Sequence, residues 1–176
     1  MMDRYLFLDI DGVLNGFDTV NQHQFAALYE AYQRRYSDDI AFNLAMIDLD
    51  AVERLNRLLD CTGVRVVVSS SWRNCPFLPE VLSLAGLRHR LYDRTPYTDG
   101  FRGNDIRRWL QSVERPCSIL ILDDEPDLHP DQLERLLRTD GRVGLTDSDV
   151  AKAIYMGWPV FNGSLMLEPR VFPTEQ

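Results

Sequence analysis

In Tyr5-Leu6-Phe7-Leu8-Asp9-Ile10-Asp11-Gly12, four consecutive apolar residues run straight into two carboxylates and a glycine. The apolar run reads as a buried strand, and Asp-Ile-Asp-Gly as the turn that stops it. Two later segments repeat the design. Val64-Arg65-Val66-Val67-Val68 is β-branched and ends in Ser69-Ser70-Ser71-Trp72-Arg73, and Ser118-Ile119-Leu120-Ile121-Leu122 ends in Asp123-Asp124. Helical periods lie between them. Asp50 is placed to cap a helix carrying Val52, Leu55, Leu58 and Leu59, which Gly63 closes. Residues 76–85, 104–113 and 132–138 read as further helices. Residues 91–101 read as irregular, punctuated by Pro96 and Gly100, and 141–145 as a fourth strand. Thr146 or Asp147 caps a last helix through Ala151 and Tyr155. Apolar strands alternating with helices define an α/β fold, a parallel sheet with helices on both faces.

Residues 16–47 lack strand character. Within them Phe25, Leu28, Tyr29, Tyr32 and Tyr36 recur at helical spacing, which predicts an amphipathic helix, either packed on the core or acting as a small cap over a pocket. This makes 1–176 one domain with a helical insert after the first strand. The tail from Trp158 onward carries three prolines and large apolar residues and is expected to pack along the surface.

Composition narrows the function. Hydrophobic residues are 45% and charged residues 26% of 176, ordinary for a globular protein. The net charge of −8 speaks against a broad grip on long nucleic acid, which needs a basic face, though not against a local patch that reads a strand end. Lys152 is the only lysine, so a phosphate-binding cation is expected to be an arginine. Cys61, Cys75 and Cys117 are odd in number and show no metal spacing, which fits a reducing cytoplasm. No signal peptide or membrane-spanning run is visible in the sequence.

In open α/β sheets, ligands bind beyond the carboxyl ends of the strands. Here those ends supply Asp9 and Asp11, then Ser69 to Ser71, then Asp123 and Asp124. Four carboxylates at one edge repel one another, so a divalent cation is their natural partner, and all-oxygen ligation suits magnesium. Either carboxylate of Asp9-Ile10-Asp11 can attack phosphorus while the other handles the leaving-group proton. Gly12 permits the tight turn beside a phosphate. The hydroxyl of Ser69 or Ser70 and the nearby amides can hold phosphate oxygens. A receiver-like signalling module also gathers acids at a sheet edge, but needs a lysine at a late strand end, and Lys152 falls in a helix.

The ordered set Asp9-Ile10-Asp11-Gly12-Val13, Ser69-Ser70-Ser71-Trp72-Arg73, Arg102 and Leu122-Asp123-Asp124 resembles the haloacid dehalogenase (HAD) superfamily of phosphatases over residues 5 to about 155. The strings Val13-Leu14-Asn15, Thr95-Pro96, Arg102-Gly103-Asn104-Asp105-Ile106, Trp109-Leu110 and Gly144-Leu145-Thr146 are similar to the HAD domain of RNA-repair proteins, akin to the phosphatase half of polynucleotide kinase–phosphatase. The resemblance implies a Rossmann-like HAD fold and a magnesium-dependent phosphomonoesterase. In it Asp9 is the nucleophile that becomes an aspartyl-phosphate and Asp11 the general acid and base. Ser69 and Arg102 stabilise the phosphoryl group, and Gly12 and Ser70 contact it. Asn15 is expected to border the substrate pocket, and Arg73 either to touch substrate or to form a salt bridge. The metal is held by the Asp9 carboxylate, the Asp11 carbonyl and Asp124, with Asp123 in support. A 3′-phosphate at an RNA or DNA end is the implied substrate; a nucleotide or sugar phosphate is the alternative.

Overall fold

The computed structural model describes residues 3–20, 22–115, 117–155 and 160–161. Its strands are β1 (Asp3–Leu8), β2 (Arg65–Val68), β3 (Leu91–Arg94), β4 (Cys117–Asp123), β5 (Leu136–Arg138) and β6 (Val160–Phe161). Its helices are α1 (Gln22–Gln33), α2 (Asp38–Ala45), α3 (Leu49–Thr62), α4 (Leu78–Leu84), α5 (Arg102–Leu110), α6 (Pro130–Leu133) and α7 (Asp147–Tyr155), with a 3₁₀ turn at Ser71–Asn74. The first five strands form a parallel sheet in the order β3-β2-β1-β4-β5, and β6 pairs antiparallel with the start of β4.

Alternation along the buried strands explains why both faces are covered. Leu6 and Leu8 of β1, Val66 and Val68 of β2, and Leu120 and Leu122 of β4 share one core with Leu55, Leu58 and Leu59 of α3 and Val81 and Leu82 of α4. Tyr5, Phe7, Val67, Ile119 and Ile121 point the other way and meet Ile106, Trp109 and Leu110 of α5. A strand apolar on both sides must be sandwiched, which makes the arrangement Rossmann-like.

Register delivers the polar residues to one place. Leu8 is paired with both Val68 and Leu122. The next residue of each strand is therefore Asp9, Ser69 and Asp123, side by side at the carboxyl edge. The ladder continues one step past the strands, with Asp9 N donating to Leu122 O at 3.0 Å and Ser69 N to Leu8 O at 2.8 Å.

Four details differ from the sequence reading. Residues 91–94 form edge strand β3 instead of an irregular segment; a register shift opposite Val66 and Val67 and its polar, exposed residues mask the strand pattern. The expected helix 132–138 splits into α6 and three-residue β5, too short to show a period of two. The expected strand 141–145 is a turn joined by a single bridge between Asp140 and Gly144. The cap of α3 is Asp48, not Asp50: its carboxylate accepts from Asp50 N at 2.9 Å and Ala51 N at 3.3 Å. Gly63, in the left-handed conformation, ends that helix as expected.

Residues 16–47 hold two helices. α2 buries Ile40, Ala41, Leu44 and Ala45, while the aromatic stripe of α1 is shared. Tyr32 and Tyr36 reach the core. Phe25 and Tyr29 pack on Phe42 of α2, at ring separations of 5.3 and 6.1 Å. The expected packing of the tail lies outside the described residues, apart from β6.

The capping geometry sets a stability test. Asp48→Ala is expected to lower unfolding free energy by about 1 kcal/mol. Asp50→Ala should cost clearly less, both read from urea denaturation midpoints.

Candidate active site

Asp9 follows β1 and is only 4% exposed. One oxygen each from Asp9, Asp123 and Asp124 can be chosen so that all three lie within 4.8 Å of one another. Arg102, at the first position of α5, reaches into this group. Its Nη1 is 3.1 Å from Asp9 Oδ1 and its Nε is 2.9 Å from Asp123 Oδ2; the guanidinium also donates to the Ser69 carbonyl. The start of α5 is fixed by Asp127, whose carboxylate accepts from Arg102 N at 3.2 Å and whose carbonyl accepts from Gly103 N at 3.1 Å.

The electrostatics follow from crowding. Burial pushes the Asp9 carboxyl above its ordinary range, against the pull of Arg102 and of hydrogen bonds from Ser70 and Ile10. Burial and then the charge of Asp9 raise Asp123 to about 7, and the same two causes raise Asp124. Burial works against the Arg102 charge, but Asp9 and Asp123 outweigh it and hold the guanidinium firmly protonated.

Asp124 sits in a cradle that only glycine can form. A Cβ at Gly12 would come 2.3 Å from Asp124 Cγ, and one at Gly141 would come 2.3 Å from Asp124 Oδ2. Gly12 also has φ +70°, which side chains rarely adopt. Thr139 ties the two loops together: its Oγ1 donates to Gly12 O at 2.8 Å and its N to Asp123 O at 3.0 Å.

The Asp11 carboxylate is exposed and stands outside the three-acid group. It accepts from Asn15 Nδ2 and Trp72 Nε1, both at 2.9 Å, and from Ser71 Oγ at 3.3 Å. Asn15 also takes the Gly12 N–H on its Oδ1 at 3.0 Å, so it shapes the turn. Ser70 Oγ accepts from Trp72 N at 3.3 Å. The Ser69 hydroxyl is buried and has no hydrogen-bond partner among the described residues.

Arg73, for which a substrate contact and a salt bridge are both expected possibilities, is buried in an ion pair. Its Nη2 lies 2.8 Å from Asp105 Oδ2, its Nη1 donates to Thr95 Oγ1 at 2.9 Å, and its guanidinium is 5.3 Å from the centre of the Tyr97 ring. Asp105 Oδ1 accepts from Thr98 N and Thr98 Oγ1 at 2.8 and 2.7 Å. This network joins the serine turn to α5, three residues beyond Arg102. Sequence reasoning missed Gly141 and Thr139, because both follow β5, the strand it took for helix.

The residues fit a hard cation. Three buried or half-buried carboxylates converge. Asp123 Oδ2, though 2.9 Å from Arg102 Nε, takes no aligned hydrogen bond and keeps lone pairs for a further ligand.

The parallel Rossmann-like sheet thus carries an acid cluster at its carboxyl edge. The family model described as the HAD domain in Swiss Army Knife RNA repair proteins matches residues 5–150, and the chain belongs to that family. Such HAD domains generally use Mg²⁺. No curated protein and no solved structure matches the chain. Among the described residues no helix is long and apolar enough to cross a membrane.

The raised carboxyl pKa values give a pH test on metal-free protein. Asp123 titrates at about 7 when folded and at about 3.9 when unfolded. The folded state therefore binds more protons between those values, and stability falls as pH rises through that window. With a chelator present, the thermal midpoint should be several degrees lower at about pH 8 than at about pH 5. Asp123→Asn should remove much of that difference.

Proposed function

We propose that the protein is a magnesium-dependent phosphomonoesterase that works through an aspartyl-phosphate and acts on 3′-phosphate ends of nucleic acid. The observation that carries this reading is the buried meeting of Asp9, Asp123 and Asp124 with Arg102 at the carboxyl edge of the sheet. The family's association with RNA repair supports the substrate class. A chain of net charge −8 suits recognition of an end rather than of a long backbone.

In the first step an Asp9 oxygen attacks phosphorus in line. The bond from phosphorus to the leaving oxygen breaks, and Asp11 gives that oxygen a proton. In the second step Asp11 takes a proton from water, whose oxygen attacks the same phosphorus. The acyl-phosphate bond breaks, releasing inorganic phosphate and restoring Asp9. Asn15, Trp72 and Ser71 hold the Asp11 carboxylate for both transfers. Arg102 offers its guanidinium to the charge that develops on the phosphoryl oxygens. Between the two serines, Ser69 is favoured as the phosphate donor, since its buried hydroxyl is free while Ser70 serves Asp9 and the 3₁₀ turn. Asp9, Asp124 and the Asp11 carbonyl would hold magnesium, with Asp123 direct or through water. When bound, the ion supplies positive charge that offsets repulsion between nucleophile and phosphate.

A receiver-like module is the weaker reading, because Lys152 lies in α7 and pairs with Asp149 at 3.3 Å. A nucleotide or sugar phosphatase is separated from the leading reading by substrate preference.

Asp9→Asn should reduce magnesium-dependent phosphate release from a 3′-phosphorylated oligonucleotide by at least about 1,000-fold, and Asp11→Asn by about 100- to 10,000-fold. Full activity in Asp9→Asn removes the nucleophile from the mechanism. Faster turnover of sugar phosphates than of 3′-phosphorylated oligonucleotides removes the nucleic-acid substrate.

A further inference from the structure

A cavity of about 660 Å³ opens beside the acid cluster. Asp11, Gly12 and Gly141 form its inner wall, and Phe17, Val20 and Met46 its apolar side. The volume is that of a pocket for a small organic group. Phe17 is 81% exposed, a large apolar surface presented to water at the mouth of a site. Its backbone is nevertheless fixed. Phe17 N donates to Gly141 O at 3.1 Å and Asp18 N to Arg142 O at 2.8 Å. The loop that carries the ring is thus bound to the same segment that cradles Asp124. Asp18, which also lines the cavity, is neutralised by Arg142 at 3.1 Å, so the wall presents no unpaired charge there.

We infer that this cavity is the leaving-group subsite and that the face of Phe17 stacks on a nucleobase. The inference rests on the phosphomonoesterase reading above. Asp11 is assigned there as the proton donor to the leaving oxygen, and Asp11 lines this cavity, so the leaving group occupies it. The apolar side of the cavity, with an exposed aromatic on a fixed backbone, suits a planar, uncharged ring. Asp11, Asn15 and Asp18 line the rest of it. Stacking on an aromatic tolerates any base, which suits an enzyme that must accept any terminal nucleotide. Met46, unbranched and polarisable, adapts to rings of different size. The chemistry recognised is a nucleoside 3′-phosphate, whether it ends a strand or is a free nucleotide.

The test compares wild type, Phe17→Ala and Phe17→Tyr on three substrates with magnesium: a 3′-phosphorylated oligonucleotide, the same strand with an abasic 3′-terminal residue, and adenosine 3′-monophosphate. In wild type kcat/KM should favour the base-bearing strand over the abasic one. That preference should fall about tenfold in Phe17→Ala and persist in Phe17→Tyr. Loss of activity in Phe17→Ala that is equal on base-bearing and abasic strands, or no loss at all, overturns the subsite. The ratio of oligonucleotide to mononucleotide turnover assigns the source of the base. Should no substrate release phosphate, the functional reading fails, and binding of adenosine 3′-monophosphate to the Asp9→Asn protein by calorimetry decides the subsite separately. Affinity about tenfold weaker with Phe17→Ala added upholds it, and unchanged affinity or no binding overturns it.

Discussion

The molecule is organised around the enforced proximity of three carboxylates. At 4.8 Å or less, each pair of ionised groups repels by at least roughly 3 kcal/mol at an effective dielectric of about 20. Three such pairs together approach the whole stability of an ordinary domain, roughly 5–15 kcal/mol. The cluster therefore stays together only by taking up positive charge or protons. Arg102 supplies one charge, and burial raises the Asp9, Asp123 and Asp124 carboxyls, which favours proton uptake. The fold accepts this strain because parallel register leaves it no choice. Once Leu8 is paired with both Val68 and Leu122, Asp9 and Asp123 are neighbours.

Much of this was readable in the amino-acid order, for a physical reason. Strands buried on both faces show as unbroken apolar runs, and a carboxylate at the end of such a run stands out. That is why Asp9, Asp123, Asp124 and the serine turn were found by inspection. Arg102 was found by its resemblance to a family pattern, not by any local signal. The elements that escaped are the short and peripheral ones. β3 is a polar edge strand with a register shift, and β5 has three residues, too few to express a period. With β5 unseen, Thr139 and Gly141 had no place, although both complete the seat of Asp124. For Arg73 the sequence leaves a substrate contact and a salt bridge equally open. Its partner Asp105 lies 32 positions away in the chain, and no pattern of residue types reveals a pairing across that span.

That pairing gives the site its second layer. Arg73 follows the serine turn closely, and Asp105 lies one helical turn along from Arg102. Their contact is buried and extended by hydrogen bonds to Thr95 and Thr98. A displaced serine turn would therefore carry α5 with it, so the serine hydroxyls and the Arg102 guanidinium keep a common frame.

The segment 16–47 leaves and re-enters the sheet region through a narrow neck. Asp48 N donates to Leu14 O at 2.8 Å, and Phe17 and Asp18 are stitched to the turn at 141–142. Both ends of the excursion are thus closed by backbone bonds before its helices begin. With both ends of the excursion fixed, the exposed positions of α1 are where length and composition can change, while Ile40, Ala41, Leu44 and Ala45 stay in the core and Val20 and Met46 keep lining the cavity.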